Sequence, residues 1–267
     1  MFKKLLKSIK YYFAMYKRFA DENNVLIYQM GKVGSTSLEH AIENAIHIHT
    51  LYLDNHTCKP RQAALFGCGF RYYYHKLKQA FINHLRRKAI KSRDDIKVVT
   101  LVRKPMKRNI SMYFHDLDAY IFNSQSDLLS LSPALMTRLS SENLLITLFE
   151  QQFDHHYPLT WFDKEIKRFL GIDVYKAHFD KNRGYINIKH KNIQILCIDA
   201  ERLTEHLPIV EDFIGKKIIL CNKNKAENKW YAPLYQQFNA TYQPSDNLVN
   251  LLENSKFNEF FFVDNRQ

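Results

Sequence analysis

The stretch "VLIYQMGKVGSTSLEHAI", Val25 to Ile42, decides how this chain is read. A short apolar run stops at Gly31. Lys32, a second glycine at Gly34 and the hydroxyl residues Ser35, Thr36 and Ser37 follow, and then a helical pattern. Strand, loop, helix is the arrangement that aims backbone N–H groups and a helix N-terminus at an anion. The two glycines permit tight turns. The three hydroxyl residues can cap the helix and also donate to phosphate oxygens. Lys32 adds a full positive charge at the mouth. A Walker A loop needs its lysine directly after the last glycine. Here Gly34 is followed by Ser35, and no acidic residue ending a following strand is clearly placed to hold Mg²⁺. The spacing therefore disfavours a metal-dependent ATPase or kinase, and no metal is expected.

A second stretch makes the first more specific. "VVTLVRKPMKRNISMYF", Val98 to Phe114, puts Arg103 at the end of a buried strand and Ser111 on a helix opened by Pro105. Proline is welcome in a first helical turn. A strand end and a position about two turns into the next helix can face one crevice. Guanidinium plus hydroxyl suits a dianionic phosphate monoester. Two phosphate sites at adjacent strand ends point to one nucleotide with phosphates at both ends of its ribose.

Around these motifs the pattern alternates between strand and helix. Strands are expected at 25–30, 46–53, 96–102, 185–188, 193–198 and 217–221. Helices are expected at 37–45, 70–91, from 105 towards 120, and at 140–153, 159–170, 201–214, 229–242 and 245–259. Gly171 and Gly215 close two of them. The fold class is α/β: a P-loop-like three-layer sandwich with a mostly parallel central sheet, ligands lying beyond the strands' carboxyl ends. The 267 residues show no linker, repeat or low-complexity tract, so one domain is expected over 23–267. Residues 1–22 precede it as a basic amphipathic helix. In it Phe2, Leu5, Ile9, Tyr12, Tyr16 and Phe19 recur every three or four positions, with Lys3, Lys4, Lys7, Lys10 and Lys17 on other faces. That helix either packs on the domain or makes a membrane-surface contact through residues 1–20.

A hydrophobic share of 46% supports a sizeable core. The net charge of +12 asks for an anionic partner. No zinc-finger spacing or single-strand aromatic motif is present, so nucleic acid is not expected. The four cysteines form no CxxC pair; Cys197 and Cys221 read as buried thiols in a reducing compartment. No run approaches the ~20 apolar residues of a membrane span, and the basic N-terminus lacks the apolar segment of a secretory signal. A cytoplasmic location is expected, peripheral at the inner membrane surface if the first helix touches lipid. The Lys-, Asn- and Ile-rich composition fits a bacterial protein.

"QMGKVGSTSL" resembles the 5′-phosphosulfate-binding loop of sulfotransferases, and "LVRKPMKRNISMYF" resembles their 3′-phosphate-binding strand and helix. "PLTWFDKEIKRFLGIDVY", "IQILCIDAERL" and "AENKWYAPLYQQF" are similar to later segments of a sulfotransferase-like family of capsular polysaccharide synthesis proteins. That family carries an Asn-Lys-Trp-Tyr signature, here Asn228 to Tyr231. The resemblance runs from Val25 to Phe262. It implies 3′-phosphoadenosine-5′-phosphosulfate (PAPS) as donor, PAP as product, a carbohydrate acceptor and no metal. By position it makes Lys32, Gly34, Ser35, Thr36 and Ser37 the 5′-phosphosulfate contacts and Arg103 and Ser111 the 3′-phosphate contacts. Lys229 becomes a lid cation near the nucleotide. Many sulfotransferases have proline before the loop lysine; here Gly31 stands there.

Sulfuryl transfer to an alcohol needs a base for the acceptor hydroxyl. In "AIHIHTLYLDNH" His47 and His49 alternate with apolar residues on a strand and so share a face. His49, nearer the strand's carboxyl end, is the first candidate, His47 the second and His56 the third. The alternative is that they pack as hydrogen-bonded core histidines. His115 and Asp116, one turn beyond Ser111, can also reach the cleft. Asp163 and Glu165 can bind or deprotonate an acceptor, but read more readily as helix-surface carboxylates. His155 and His156 diverge on a helix and form no metal pair. "FRYYYHKLKQAFINHLRRK" reads as a solvated basic helix or a groove for an anionic saccharide. Two further functions stay open at this level: a P-loop kinase-like nucleotide-binding enzyme, and a non-catalytic basic protein that binds membrane or polyanion.

Overall fold

A computed structural model describes residues 2–52, 69–124, 142–220 and 229–263; His56, Cys58, Cys68, Cys221 and Asn228 lie outside them. The strands are β1 (Val25–Tyr28), β2 (Ala45–Ile48), β3 (Ile96–Val102), β4 (Tyr185–His190) and β5 (Ile193–Asp199). They form one sheet in the order β2-β1-β3-β5-β4. All neighbours are parallel except β4, which runs antiparallel to β5 at the edge. The sequence explains these places. β1 and β3 are almost wholly buried and read as unbroken apolar runs, as strands covered on both faces must. β4 carries Asn187, Lys189 and His190, which an edge strand tolerates.

β1 hands on to β2 on one side of the sheet, while β3 hands on to the β4–β5 pair on the other. Between the carboxyl ends of β1 and β3 the connections diverge. An open α/β sheet has its ligand crevice at such a point. Both anion motifs begin there: residues 31–37 follow β1, and Arg103 follows β3 directly.

The helices are α1 (Phe2–Ala20), α2 (Ser35–Ala41), α3 (Phe70–Lys91), α4 (Pro105–His115), α5 (Leu117–Ser124), α6 (Glu142–Gln152), α7 (Tyr157–Trp161), α8 (Leu207–Ile214), α9 (Ala232–Thr241), α10 (Asp246–Glu253) and α11 (Lys256–Phe261). α7 runs on through a wider, π-helical turn (Phe162–Lys167) and a last α-turn (Arg168–Leu170), and Gly171 closes it at φ 74°. The strand expected over 46–53 ends at Ile48, leaving His49 just beyond it, and the helix expected from 105 towards 120 breaks at Asp116. Further expectations need correction. No strand forms at 217–220: the Ile218 N–H donates to the Glu211 carboxylate at 2.9 Å instead of to the sheet. Pro208 opens α8, so the pattern expected over 201–214 splits into a 3₁₀ turn (Ala200–Arg202) and a short helix. Ser255 accepts from Asn258 N and caps a fresh helix, dividing the 245–259 pattern in two.

Two apolar clusters hold the molecule together. The larger surrounds the sheet and includes Met15 and Phe19 of α1, so one face of the N-terminal helix does pack on the core. The second joins α4, α5, α6, α9 and α10. Its centre is aromatic: Phe114 of α4 meets Tyr231, Tyr235 and Phe238 with ring centroids 6.0, 5.2 and 5.3 Å away. Such pairs add roughly 0.5–1.5 kcal/mol each beyond burial. They fasten the start of α9, and the chain just before it, to the helix that carries Ser111.

Candidate functional site

The loop after β1 is shaped by two left-handed residues. Lys32 has φ 70° and Gly34 has φ 87°. The first is a strained backbone for a residue with a side chain, and such strain persists where surrounding contacts hold it. Those contacts are visible. Arg103 Nη1 reaches the Lys32 carbonyl oxygen at 3.4 Å, and Arg108 Nε donates to the Gly31 carbonyl oxygen at 3.0 Å. Both sequence motifs therefore meet in one crevice.

Lys32 is half-buried. Burial lowers its pKa to about 8; the Lys229 and Arg108 charges push the same way, and Asp116 opposes them. The exposed Lys229 thus lies close enough to be felt by the loop lysine. Thr36 and Ser37 are half-buried in the first turn of α2. Gly34 is exposed, and a Cβ added there would meet no atom within 4 Å, so its role is the left-handed turn rather than close packing.

On α4, Arg108, Ser111 and Met112 stand at i, i+3 and i+4 and share a face. Arg108 bonds the loop, and Met112 Sδ lies 3.9 Å from where a Cβ on Gly31 would sit. This face is the loop's opposite wall, and Ser111 is half-buried in it. Sequence reading missed Arg108. It is wholly buried, gives Nη1 to Asn109 Oδ1 at 3.0 Å and lies 4.8 Å over the Tyr157 ring. Its Nη2 is buried with no hydrogen-bond partner among the described residues. Burial pulls its pKa down to about 10, with Tyr157, Asp154, Asp116 and Tyr120 acting to raise it. A buried guanidinium with an unused donor is costly unless an anion completes it. The available signal was its position one turn before Ser111.

His49 follows β2 directly. Its Nδ1 lies 3.1 Å from the Gln29 carbonyl oxygen. A carbonyl only accepts, so Nδ1 carries the proton and Nε2 presents a lone pair. Its Cε1 lies 3.8 Å from where a Cβ on Gly31 would sit. The residue is exposed to solvent on one side, while protein atoms crowd the ring on the other. That crowding, then the neighbouring His47, Arg108 and Lys32, push its pKa down to about 4 against the help of the Gln29 carbonyl. The His47 and His49 rings meet edge to face at 4.3 Å, so the two share a face as expected. His47 is differently employed: Nδ1 pairs with Glu39 Oε2 at 2.9 Å, and burial lowers its pKa despite that carboxylate.

Glu165 corrects the sequence reading. It is fully buried, not a surface carboxylate. The π-helical turn swings it inward, where Oε2 accepts from Leu51 N at 2.8 Å and from the Tyr28 hydroxyl. Trp161 Nε1 donates to the His49 carbonyl oxygen at 3.0 Å. This stretch therefore clamps the segment that carries His49 to the end of β1. Asp116 is also buried, near Lys32 and Arg108, whereas His115 is exposed. His155 is buried with Nε2 on the Phe149 carbonyl oxygen at 2.8 Å, a structural role. No cluster of three or more metal-ligating side chains occurs among the described residues.

Four cations, Lys32, Arg103, Arg108 and Lys229, thus lie about the β1–β3 crevice, with the Asp116 carboxylate near them and the neutral His49 imidazole beside the Gly31 turn. Comparison with curated proteins and with solved structures finds no match. Residues 136–263, which include Lys229 and α6 to α11 but neither the 31–37 loop nor Arg103, match the model of a family described as "Putative capsular polysaccharide synthesis protein".

Proposed function

We propose that the chain transfers the sulfuryl group of PAPS to a hydroxyl of a carbohydrate acceptor, a capsular or surface polysaccharide or its precursor. The observation that carries this reading is the meeting of the two anion motifs. Arg103 reaches the Lys32 carbonyl oxygen, while the neighbouring Arg108 keeps a buried donor unused. A ligand with a phosphate at each end of one ribose suits two cationic centres at adjacent strand ends. Its charge would complete Arg108 and lift the depressed pKa of Lys32. The capsular-family match over the C-terminal part supports the carbohydrate side. The exposed Trp230, next to Lys229, offers an aromatic face for a sugar ring.

In this reading the 31–37 loop and the α2 N-terminus hold the 5′-phosphosulfate, with Gly34, Ser35, Thr36 and Ser37 donating. Arg103 and Ser111 hold the 3′-phosphate, and Arg108 braces the wall between them. The donor supplies a sulfuryl group joined to its 5′-phosphate as a mixed phosphoric–sulfuric anhydride. The acceptor oxygen forms a bond to sulfur as the sulfur–oxygen bond to the 5′-phosphate breaks. His49 Nε2 takes the hydroxyl proton, and Lys32 meets the negative charge that develops on the departing phosphate. Gln29 and Trp161 hold the His49 ring and backbone in place. Transfer of radiolabelled sulfur from PAPS to oligosaccharide acceptors, in the presence of a chelator, tests the reading. Label transfer is expected; turnover of ATP that depends on Mg²⁺, without sulfuryl transfer, would overturn it.

A further inference from the structure

The chain's positive charge is concentrated on one pair of helices. α1 and α3 hold 13 of its 39 Lys and Arg and none of its 27 Asp and Glu. All other residues together carry 26 cations against 27 acids and are close to neutral. The pair runs parallel. Tyr12 meets Phe81 edge to face at 5.5 Å, and further along both helices Arg86 lies 5.3 Å over Phe19.

The same pair carries nine of the twelve large apolar side chains that stand exposed among the described residues. They are ordered in stripes. On α1, Leu6, Ile9 and Phe13 fall at i, i+3 and i+7, beside the face that packs on the core. On α3, Phe70, Tyr74, Leu77 and Phe81 fall at i, i+4, i+7 and i+11, with Phe70 87% and Leu77 72% exposed. Helical spacing puts each set on one face. Lysines lie alongside: Lys17 Nζ sits 4.7 Å over the Phe13 ring, and Lys76 Nζ 4.7 Å over Tyr72. Exposed apolar stripes of this kind mark contact surfaces.

We propose that α1 and α3 form an amphipathic platform that seats the protein on an anionic lipid surface. The Leu6/Ile9/Phe13 and Phe70/Leu77/Phe81 stripes enter the boundary between headgroups and acyl chains, and the flanking lysines and arginines meet lipid phosphates. Charge and polarity select this occupant. A second copy on the same face would oppose 13 cations with 13 more, which is repulsive. Nucleic acid would satisfy the cations but offers no apolar phase for Ile9 and Leu77. No helix among the described residues is long and apolar enough to cross a membrane, so the pair lies on the surface. Arg87 of α3 donates to the Leu51 carbonyl oxygen and lies 4.6 Å over the Tyr52 ring. The platform is thereby joined to the chain two residues beyond His49.

The proposal does not depend on the identity of the nucleotide, and flotation with vesicles tests it. The full chain is mixed with vesicles of phosphatidylcholine alone, or with about 30% phosphatidylglycerol, at ~0.1 M and ~0.5 M salt. It is expected to float with the anionic vesicles only, and several-fold less at the higher salt. Phe70→Ser combined with Leu77→Ser changes two exposed positions and should lower the bound fraction at least tenfold. Lys10→Glu combined with Lys17→Glu should do the same. Both variants should keep the wild-type circular dichroism and the wild-type response to PAP. Three results would each overturn the proposal: no flotation with anionic vesicles, equal flotation with neutral ones, or a dimer in solution that the Phe70/Leu77 pair dissolves. So would retention on single-stranded DNA together with vesicle binding that ignores that pair.

Discussion

Arg108 Nε donates across the crevice to the Gly31 carbonyl oxygen at 3.0 Å, so a helix of the second anion motif grips the loop of the first. The same guanidinium keeps Nη2 buried without a partner among the described residues. Replacing it should therefore loosen the loop and remove a donor from the ligand. Charged hydrogen bonds contribute about 1.5–3 kcal/mol, so Arg108→Met should weaken PAP binding by roughly tenfold to a hundredfold. Isothermal titration reads this; an unchanged Kd would return Arg108 to a purely structural role.

Lys32 and Arg103 should carry transition-state stabilisation. Lys32→Ala and Arg103→Ala should each cost on the order of 2–4 kcal/mol in kcat/KM, as for other fixed electrostatic donors. Near-normal turnover in either variant would remove that residue from the mechanism.

His49 should act on the acceptor rather than the donor. His49→Ala should cut kcat about 10²- to 10⁴-fold, the usual range for a general base, and leave PAP affinity within a few-fold. His47→Ala, which removes a Glu39-paired ring, should change kcat far less. A reversed order would move the base to His47.

The depressed pKa values set the pH response. Lys32 titrates at about 8, so PAP affinity should fall as pH rises past 8, and Lys32→Arg should hold it to higher pH. Because the bound anion raises that pKa, binding near pH 8–9 should take up protons, which titration in buffers of different ionisation enthalpy detects. His49 titrates at about 4, below its ordinary value of 6.5. Its neutral form is then favoured in the fold. The stability it contributes is present above pH 6.5 and is lost as pH falls through 4, since the unfolded chain binds the extra proton. His49→Gln should flatten this part of the acid limb of a stability profile.

Glu165 should matter for stability. Glu165→Gln replaces a buried carboxylate that accepts from both Leu51 N and Tyr28. It should cost about 1–3 kcal/mol, read as a lower urea midpoint. No change would mean that the π-helical clamp is incidental.

Much of this could be read from the chain because the decisive segments are locally consistent. The apolar runs 25–30 and 96–102 become central parallel strands, and 70–91 becomes one helix with those bounds. The alternation of His47 and His49 with Ile46 and Ile48 places both rings on one face. What was missed depends on tertiary surroundings. Glu165 sits in a helix of mixed polarity, and only the π-helical turn sends it inward. Arg108 looks like one more cation in "RKPMKR" until the loop carbonyl and Tyr157 bury it. The 217–220 run has strand composition, but Glu211 takes its N–H. Its β-propensity has no sheet partner to act on.

The donor site is tested most directly by thermal unfolding with PAP, ADP or ATP, with and without Mg²⁺. PAP should raise Tm by several degrees at about a hundredfold excess over Kd. ADP and ATP should raise it less, Mg²⁺ should make no difference, and the PAP shift should vanish in Arg103→Ala. No shift with millimolar PAP, or a larger one with Mg²⁺ and ATP, would contradict the assignment of this crevice.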